Sequence, residues 1–152
     1  MENNATFANH HTSTPGHLWV VAIFFICLYA IGAYDYVMSL KVNAAYFSTQ
    51  NYGEDHVAYF SDYPLIPLIF WTATIFIGLV APLLLLFRLR WAVTAAFISG
   101  ASQLCLVIIT FGFMGRWDVF GPMLSLFDLL ILLLTLCFFL YCRALSNRGV
   151  LR

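Results

Sequence analysis

Gly32-Ala33-Tyr34-Asp35-Tyr36-Val37-Met38 places a carboxylate near the end of the first long apolar run of the chain, which extends from His17 to about Leu40. A helix of about 20 apolar residues is long enough to cross a bilayer. A carboxylate within such a helix is unstable against lipid and normally faces the interior of a bundle. The stretch therefore predicts a membrane-spanning helix that presents Asp35 to neighbouring helices.

The composition extends this prediction to the whole chain. Of 152 residues, 62% are hydrophobic and 9% are charged, whereas soluble domains have about 25% charged residues. The formal net charge is zero, so the basic surface that nucleic acids require is missing. We expect a one-domain integral membrane protein that contacts the lipid bilayer and no nucleic acid.

The apolar runs predict an all-α membrane protein, a four-transmembrane-helix bundle with spans at about residues 17–40, 64–87, 91–113 and 120–142. Short connections at residues 88–90 and 115–118 make the last three spans antiparallel neighbours. The transmembrane domain then covers residues 17–143. A polar tail at residues 1–16 precedes it, and a basic tail at residues 144–152 follows it.

The loop between the first two spans, residues 41–63, is too polar to cross a membrane and is rich in tyrosine and phenylalanine. This mixture is typical of a membrane–water interface. Asn51-Tyr52-Gly53 interrupts it, and Glu54 to Ser61 has helical character. We expect one or two short interfacial helices lying over the outer end of the bundle.

Basic residues indicate the orientation. Five arginines lie on the side of the termini, at positions 88, 90, 143, 148 and 152, and only Lys41 and Arg116 lie on the other. The positive-inside rule places both termini in the cytoplasm and the 41–63 loop outside.

Each span carries one stripe of small or polar residues, which we interpret mainly as packing surface, because membrane helices associate through such residues. The stripes are His17, Leu28, Gly32, Asp35 and Ser39 in the first span; Trp71, Thr74 and Gly78 in the second; Ser99, Gln103 and Thr110 in the third; and Gly121, Ser125, Asp128, Thr135 and Cys142 in the fourth.

Asp35 and Asp128 lie at matching depths, roughly 8 and 9 Å inside the outer ends of their spans. Arg116, in the connection between the third and fourth spans, is the basic residue nearest to Asp128 in sequence and is placed to reach either acid. These three residues form either a clamp that fixes helix register or a site for a proton, a cation or a polar ligand, since paired carboxylates raise each other's pKa. The further candidate ligand- or ion-binding residues are Tyr34, Tyr36, His56 and Gln103.

No motif indicates catalysis or a cofactor. The four cysteines form no C-x-x-C pair, no hydrolase, zincin or phosphate-loop motif occurs, and no histidine lies within a span to ligate haem. Glu54-Asp55-His56 suits a metal only weakly. We expect no catalytic residues, no metal site and no cofactor.

Several segments resemble a family of small, uncharacterised bacterial four-span inner-membrane proteins, some of which carry a sugar-transporter label. The resemblance covers about residues 18–143 and rests on these segments: Gly32 to Met38, Asn43-Ala44-Ala45-Tyr46, Val57-Ala58-Tyr59-Phe60, Asp62-Tyr63-Pro64 and Arg88-Leu89-Arg90-Trp91-Ala92-Val93. It implies a multi-pass protein of the bacterial inner membrane and no catalytic residue.

Two functions remain open at this stage. The first is a non-enzymatic accessory or interaction subunit, within a larger membrane complex or a homo-oligomer, whose outer end contains the Asp/Arg cluster. The second is a small proton- or cation-coupled transporter that uses Asp35 and Asp128.

Overall fold

Six helices follow one another along residues 16–152, the part of the chain that the computed structural model describes. They are α1 (Gly16–Leu40), α2 (Ala44–Thr49), α3 (Glu54–Ser61), α4 (Leu65–Leu86), α5 (Trp91–Phe113) and α6 (Arg116–Asn147), and no strand occurs in this range. Four of them, α1, α4, α5 and α6, are long and apolar enough to cross a membrane. The predicted all-α four-helix membrane bundle is confirmed. The predicted polar tail lies outside the described residues except for Gly16, which begins α1.

The first loop forms two short helices, as the sequence predicts. Asn43 caps α2 because its side chain accepts a hydrogen bond from the Tyr46 amide at 2.9 Å. Asn51 turns the chain between α2 and α3 with φ 56°, in the left-handed region that asparagine tolerates. We call the end of the bundle that carries residues 41–63 the cap end. The opposite end, with the α4–α5 turn and residues 148–152, is the arginine end.

The four long helices pack in an order that leaves one loose seam. Helix α4 lies along both α1 and α5, and α5 lies along α6. Helices α1 and α6 are not packed along each other in this way. They meet through side chains in the arginine-end half, where the rings of Phe25 and Phe138 have centroids 4.2 Å apart and His17 Nδ1 lies 2.6 Å from the Tyr141 hydroxyl.

A layer of hydroxyl groups crosses the middle of the bundle. The buried Tyr29 hydroxyl lies 3.3 Å from Ser99 Oγ and 3.3 Å from Thr135 Oγ1. Ser99 Oγ in turn donates to the Thr74 carbonyl oxygen at 3.0 Å. This Tyr29 layer (Tyr29, Thr74, Ser99 and Thr135) joins all four long helices by interhelical hydrogen bonds, which help membrane helices to associate.

The arginine-end half is a packed apolar core, and the end of the chain belongs to it. Val150 and Leu151 are buried, and the Arg90 amide donates to the Arg152 carbonyl at 2.9 Å, while the Arg152 amide donates to the Arg88 carbonyl at 2.7 Å. The basic segment predicted as a tail from residue 144 is instead helical to Asn147 and then folds against the α4–α5 turn. The apolar side chains of Val150 and Leu151 explain the difference, because folding back against the turn buries them in the core.

The connection before the fourth span also differs from the prediction. Residues 116–120 form a helical turn rather than a tight loop, and α6 is broken at Gly121, where φ is 69° and ψ is 179°. The long part of α6 resumes at Pro122, which suits a first helical turn because proline has no amide hydrogen to leave unpaired. Arg116 therefore lies in a short helical segment at the cap end.

Gly78 allows the Tyr29 layer to form. A Cβ atom at Gly78 would overlap the Tyr29 ring and would lie 2.8 Å from Ser99 Oγ. Gly78→Ala should therefore displace Tyr29 and destabilise the protein by about 1–3 kcal/mol, the usual effect of overpacking. The measurement is SDS-induced unfolding in mixed micelles, followed by circular dichroism.

Gly100→Ala is the matched control for this prediction. A Cβ atom there meets Leu136 at 3.5 Å and Thr135 at 3.7 Å, which are ordinary contacts. The variant should be neutral or more stable by up to about 1 kcal/mol, from helix propensity. Equal stability of Gly78→Ala and Gly100→Ala would contradict the proposed role of Gly78.

Candidate ligand-binding site

A cavity of about 290 Å³ lies on the cap side of the Tyr29 layer. Side chains from α1, α4, α5 and α6 form its walls, and residues of the 41–63 loop cover it. Its charged and amide side chains are Asp35, Gln50, Gln103, Arg116 and Asp128. Its aromatic side chains are Tyr29, Tyr46, Tyr52, Tyr63, Trp71, Phe120 and Phe127. The volume is close to the lower limit of small-molecule sites, which are usually apolar pockets with a few placed polar groups.

Arg116 and Asp128 form an ion pair in the wall of the cavity. Arg116 Nε donates to Asp128 Oδ2, and the two side chains are 19% and 23% exposed. The guanidinium also lies over the Phe120 ring, 4.4 Å from its centroid. A partly buried pair of this kind neutralises both charges, and removing one partner is unfavourable because the other charge is left unpaired.

The break at Gly121 makes this ion pair possible. Arg116 and Asp128 are 12 residues apart in sequence, and on a straight helix they would be separated by roughly 18 Å along the axis. Gly121 turns the first segment of α6 back over the second, so that the guanidinium reaches the carboxylate. Its backbone conformation is one that essentially only glycine adopts.

Asp35 is held by neutral donors. The Tyr46 hydroxyl donates to Asp35 Oδ1 at 2.5 Å, and Ser39 Oγ donates to the same atom at 3.4 Å. Burial raises the pKa of Tyr46, and the Asp35 carboxylate raises that pKa further, so the phenol remains a donor. Within residues 16–152 no basic side chain forms an ion pair with Asp35.

Two buried polar side chains in the cavity wall have no hydrogen-bond partner among residues 16–152. Gln103 is 7% exposed, and its amide forms no hydrogen bond with the described part of the chain. The Thr74 hydroxyl is buried and is likewise without a partner there. Buried polar groups are nearly always hydrogen-bonded in native proteins, and exceptions need an explanation. The Gln103 amide is therefore available to a polar ligand in the cavity, whereas the Thr74 hydroxyl is too deeply buried to contact one.

The structure brings together four of the candidate residues predicted from sequence. Asp35, Gln103, Arg116 and Asp128 all line the cavity. Both acids contribute to one polar site, as their matching depths predict. Only Asp128 pairs with Arg116, because Asp35 is bound to Tyr46 instead.

The two tyrosines beside Asp35 do not line the cavity. Tyr34 is exposed and its ring edge contacts Tyr46, with centroids 5.7 Å apart. Tyr36 points towards α4, where its hydroxyl lies 2.8 Å from Thr72 Oγ1 and its ring contacts Trp71. Tyr36 therefore joins two helices, and neither tyrosine reaches the cavity.

His56 belongs to the loop that covers the cavity. Its ring stacks on Tyr52 with centroids 4.5 Å apart, and its Nδ1 accepts a hydrogen bond from the Gly53 amide at 3.2 Å. Burial lowers the pKa of His56, although nearby Asp55 acts in the opposite direction. The neutral imidazole of His56 thus accepts a hydrogen bond from the backbone at the N-terminus of α3. In the described residues no group of three or more histidine, cysteine or acidic side chains is arranged to hold a metal ion.

Several wall residues were not identified from sequence. Tyr46 and Tyr52 come from the loop, so no helical stripe predicts that they meet Asp35. Phe120 joins the loop to α6, since its ring contacts Tyr52 and Tyr59 with centroids 5.9 and 5.2 Å apart. Tyr29 is in the wall because Gly78, which has no side chain, leaves room for its ring, a contact that becomes visible only in the structure.

Comparisons with known proteins add no relative: no protein-family model matches the chain, and no curated protein or solved structure is detectably similar to it. No role can therefore be transferred from a relative, and the chemistry of the site is inferred from its own residues.

The role of the Gly121 break is testable by substitution. Gly121→Ala should destabilise the protein by about 1–3 kcal/mol, because alanine is strained at this φ and ψ. No atom lies within 4 Å of the added Cβ, so the effect is conformational rather than steric. SDS-induced unfolding measures it. Gly112→Ala is the control, since that helical position is equally open and should show no loss.

The ion pair gives a second prediction for this site. Asp128→Asn should reduce the free energy of unfolding by about 2–4 kcal/mol, because the partly buried Arg116 loses its counter-ion. Asp118→Asn, at an exposed position of the same helix, should change it by less than about 0.5 kcal/mol. A double-mutant cycle with Arg116→Gln checks the coupling. Additive effects would show that the two side chains do not interact.

Proposed function

We propose that the chain is a non-enzymatic binding protein for a small organic ammonium ion, which occupies the cap-end cavity. The observation that carries this proposal is the Asp35 carboxylate, which faces an aromatic cavity and is held only by hydroxyl groups. Aromatic rings and a carboxylate together are the usual environment for ammonium ligands.

The charge balance of the cavity supports a cation. Asp35 and Asp128 contribute two negative charges and Arg116 one positive charge, which leaves a net charge of −1 when both acids are ionised. A monovalent cation would neutralise it. Two carboxylates in one small site repel each other, and a bound cation removes this repulsion.

The net negative charge of the whole cap end also favours a cationic ligand. Within residues 16–152 all six acidic residues lie at or near this end, with only Lys41 and Arg116 as basic residues. The acidic residues are Asp35, Glu54, Asp55, Asp62, Asp118 and Asp128. A surface of one sign raises the local concentration of ions of the opposite sign and speeds their association.

We further propose that the cap end faces the outside of a bacterial inner membrane and that both termini are cytoplasmic. The arginine end carries five arginines, and the positive-inside rule assigns that end to the cytoplasm. The ligand would then come from the outer side. The resemblance to the bacterial four-span family implies an inner membrane. A role as an accessory subunit of a larger complex or homo-oligomer is compatible with ligand binding.

Cation-coupled transport through Asp35 and Asp128 is the alternative function. The Tyr29 layer and the packed arginine-end core fill the path below the cavity, which favours binding over transport in this conformation. Proteoliposomes distinguish the two functions: transport predicts uptake of radiolabelled tetramethylammonium that Asp35→Asn abolishes, whereas a binding protein shows none.

Tetramethylammonium is a suitable probe for the binding site itself. Equilibrium dialysis of the purified protein in a neutral maltoside detergent should show saturable binding. Asp35→Asn should weaken binding by at least about tenfold, because it removes the charge that attracts the cation and keeps an oxygen to accept from Tyr46. Asp55→Asn changes an exposed acid of α3 and should leave the affinity nearly unchanged.

An uncharged ligand with a group of similar size completes this test. The tert-butyl group of 3,3-dimethyl-1-butanol is about as large as a trimethylammonium group but carries no charge, so this alcohol should not displace tetramethylammonium. The proposal is wrong if the wild-type protein fails to bind tetramethylammonium, or if Asp35→Asn and Asp55→Asn bind it equally well.

A further inference from the structure

The walls of the cavity differ in their exposure at the surface of the bundle. Residues contributed by α5 are buried, as are Thr74 and Ile75 of α4, so these helices close the back of the cavity. On the opposite side the lining includes Ile31 of α1 and Phe127 of α6, which are 68% and 54% exposed. The cavity therefore reaches the surface of the bundle on the side of α1 and α6.

This opening coincides with the loose seam of the fold. Helices α1 and α6 are joined below the cavity, where Tyr29 meets Thr135 and Phe25 meets Phe138. They are not packed along each other elsewhere, and the space between them on the cap side is the cavity. We call this gap, bordered by Ile31 and Phe127, the lateral slot.

The lateral slot faces the membrane. Ile31 lies about 6 Å from Asp35 along α1, on the side nearer the middle of the span. Both bordering side chains are apolar, whereas the exposed Gln50 lies where the lining meets the loop. The polar groups of the site are thus close to the membrane–water interface, and the slot below them opens towards lipid hydrocarbon.

We infer that the cation bound beside Asp35 carries a single hydrocarbon chain, which leaves the cavity through the lateral slot and lies in the membrane. This inference rests on the proposed function and specifies its ligand as a cationic amphiphile. A cavity of about 290 Å³ encloses a headgroup and a short part of a chain. The remainder of the chain needs an apolar exit, and the slot between Ile31 and Phe127 supplies one.

The same charges argue against a phospholipid. A phosphate attached to the headgroup would lie in surroundings whose net charge is already −1, since Arg116 is neutralised by Asp128. No basic side chain other than Arg116 lines the cavity within the described residues. The ligand is therefore a long-chain ammonium ion without a phosphate group.

Competition against radiolabelled tetramethylammonium tests the path of the chain. The competitors are decyltrimethylammonium and unlabelled tetramethylammonium, applied to the protein in neutral maltoside micelles. Ile31→Trp narrows the slot, and Val20→Trp adds the same bulk at an equally exposed position of α1 that does not line the cavity. Val20→Trp also controls for partition of the decyl compound into micelles.

We expect Ile31→Trp to raise the inhibition constant of decyltrimethylammonium by at least about tenfold more than it raises that of tetramethylammonium. Val20→Trp should change neither. If Ile31→Trp alters both constants equally, or neither, the chain does not pass through the slot, although the ammonium site stands. If tetramethylammonium itself does not bind the wild-type protein, the proposed function is wrong and the inference fails with it.

A replacement substitution and a second competitor complete the experiment. Ile31→Phe replaces Ile31→Trp if the latter does not fold, with the same expectation. Decylphosphocholine, which has the same chain length and a phosphate, should compete at least about tenfold more weakly than decyltrimethylammonium. Equal competition would overturn the assignment of a phosphate-free ligand and would favour a phospholipid.

Discussion

The hydrogen bonds of Tyr29 divide the bundle into two parts with different properties. Its hydroxyl meets Ser99 and Thr135 in a region from which water is largely excluded, and Ser99 continues the contact to α4. On the arginine side of this layer the four long helices enclose an apolar core. On the cap side they surround a cavity. Apolar surface alone gives membrane helices little reason to associate, so a polar contact among all four fixes their register.

The cavity exists because the cap-side ends of α1 and α6 contact other elements of the structure and do not pack against each other. Helix α1 is linked to α4 by the Tyr36–Thr72 contact and to the loop by the Tyr46–Asp35 hydrogen bond. Helix α6 is linked to the loop through Phe120. These contacts satisfy both helices without closing the space between them. The loop is therefore a structural part of the site as well as its cover.

The sequence predicts the parts of this arrangement that depend on composition and helical periodicity. Apolar runs locate the spans, and one stripe per helix brings Asp35, Gln103 and Asp128 to the interior. It does not predict contacts that depend on the backbone leaving a regular helix. Arg116 reaches Asp128 because the helix is broken at Gly121. Tyr46 reaches Asp35 because the chain turns back after α1. The return of Val150 and Leu151 to the core is missed for the same reason.

The identity of the groups that hold each acid decides what the cavity can bind. Arg116 neutralises Asp128, and the pair then contributes structure with little net charge. Tyr46 and Ser39 orient Asp35 without neutralising it, because hydroxyl donors carry no formal charge. A second arginine in place of Tyr46 would have given a neutral and purely structural cluster. The pairing of one acid with a cation and the other with a phenol therefore holds both carboxylates in place and leaves the site with a net negative charge, which attracts cations.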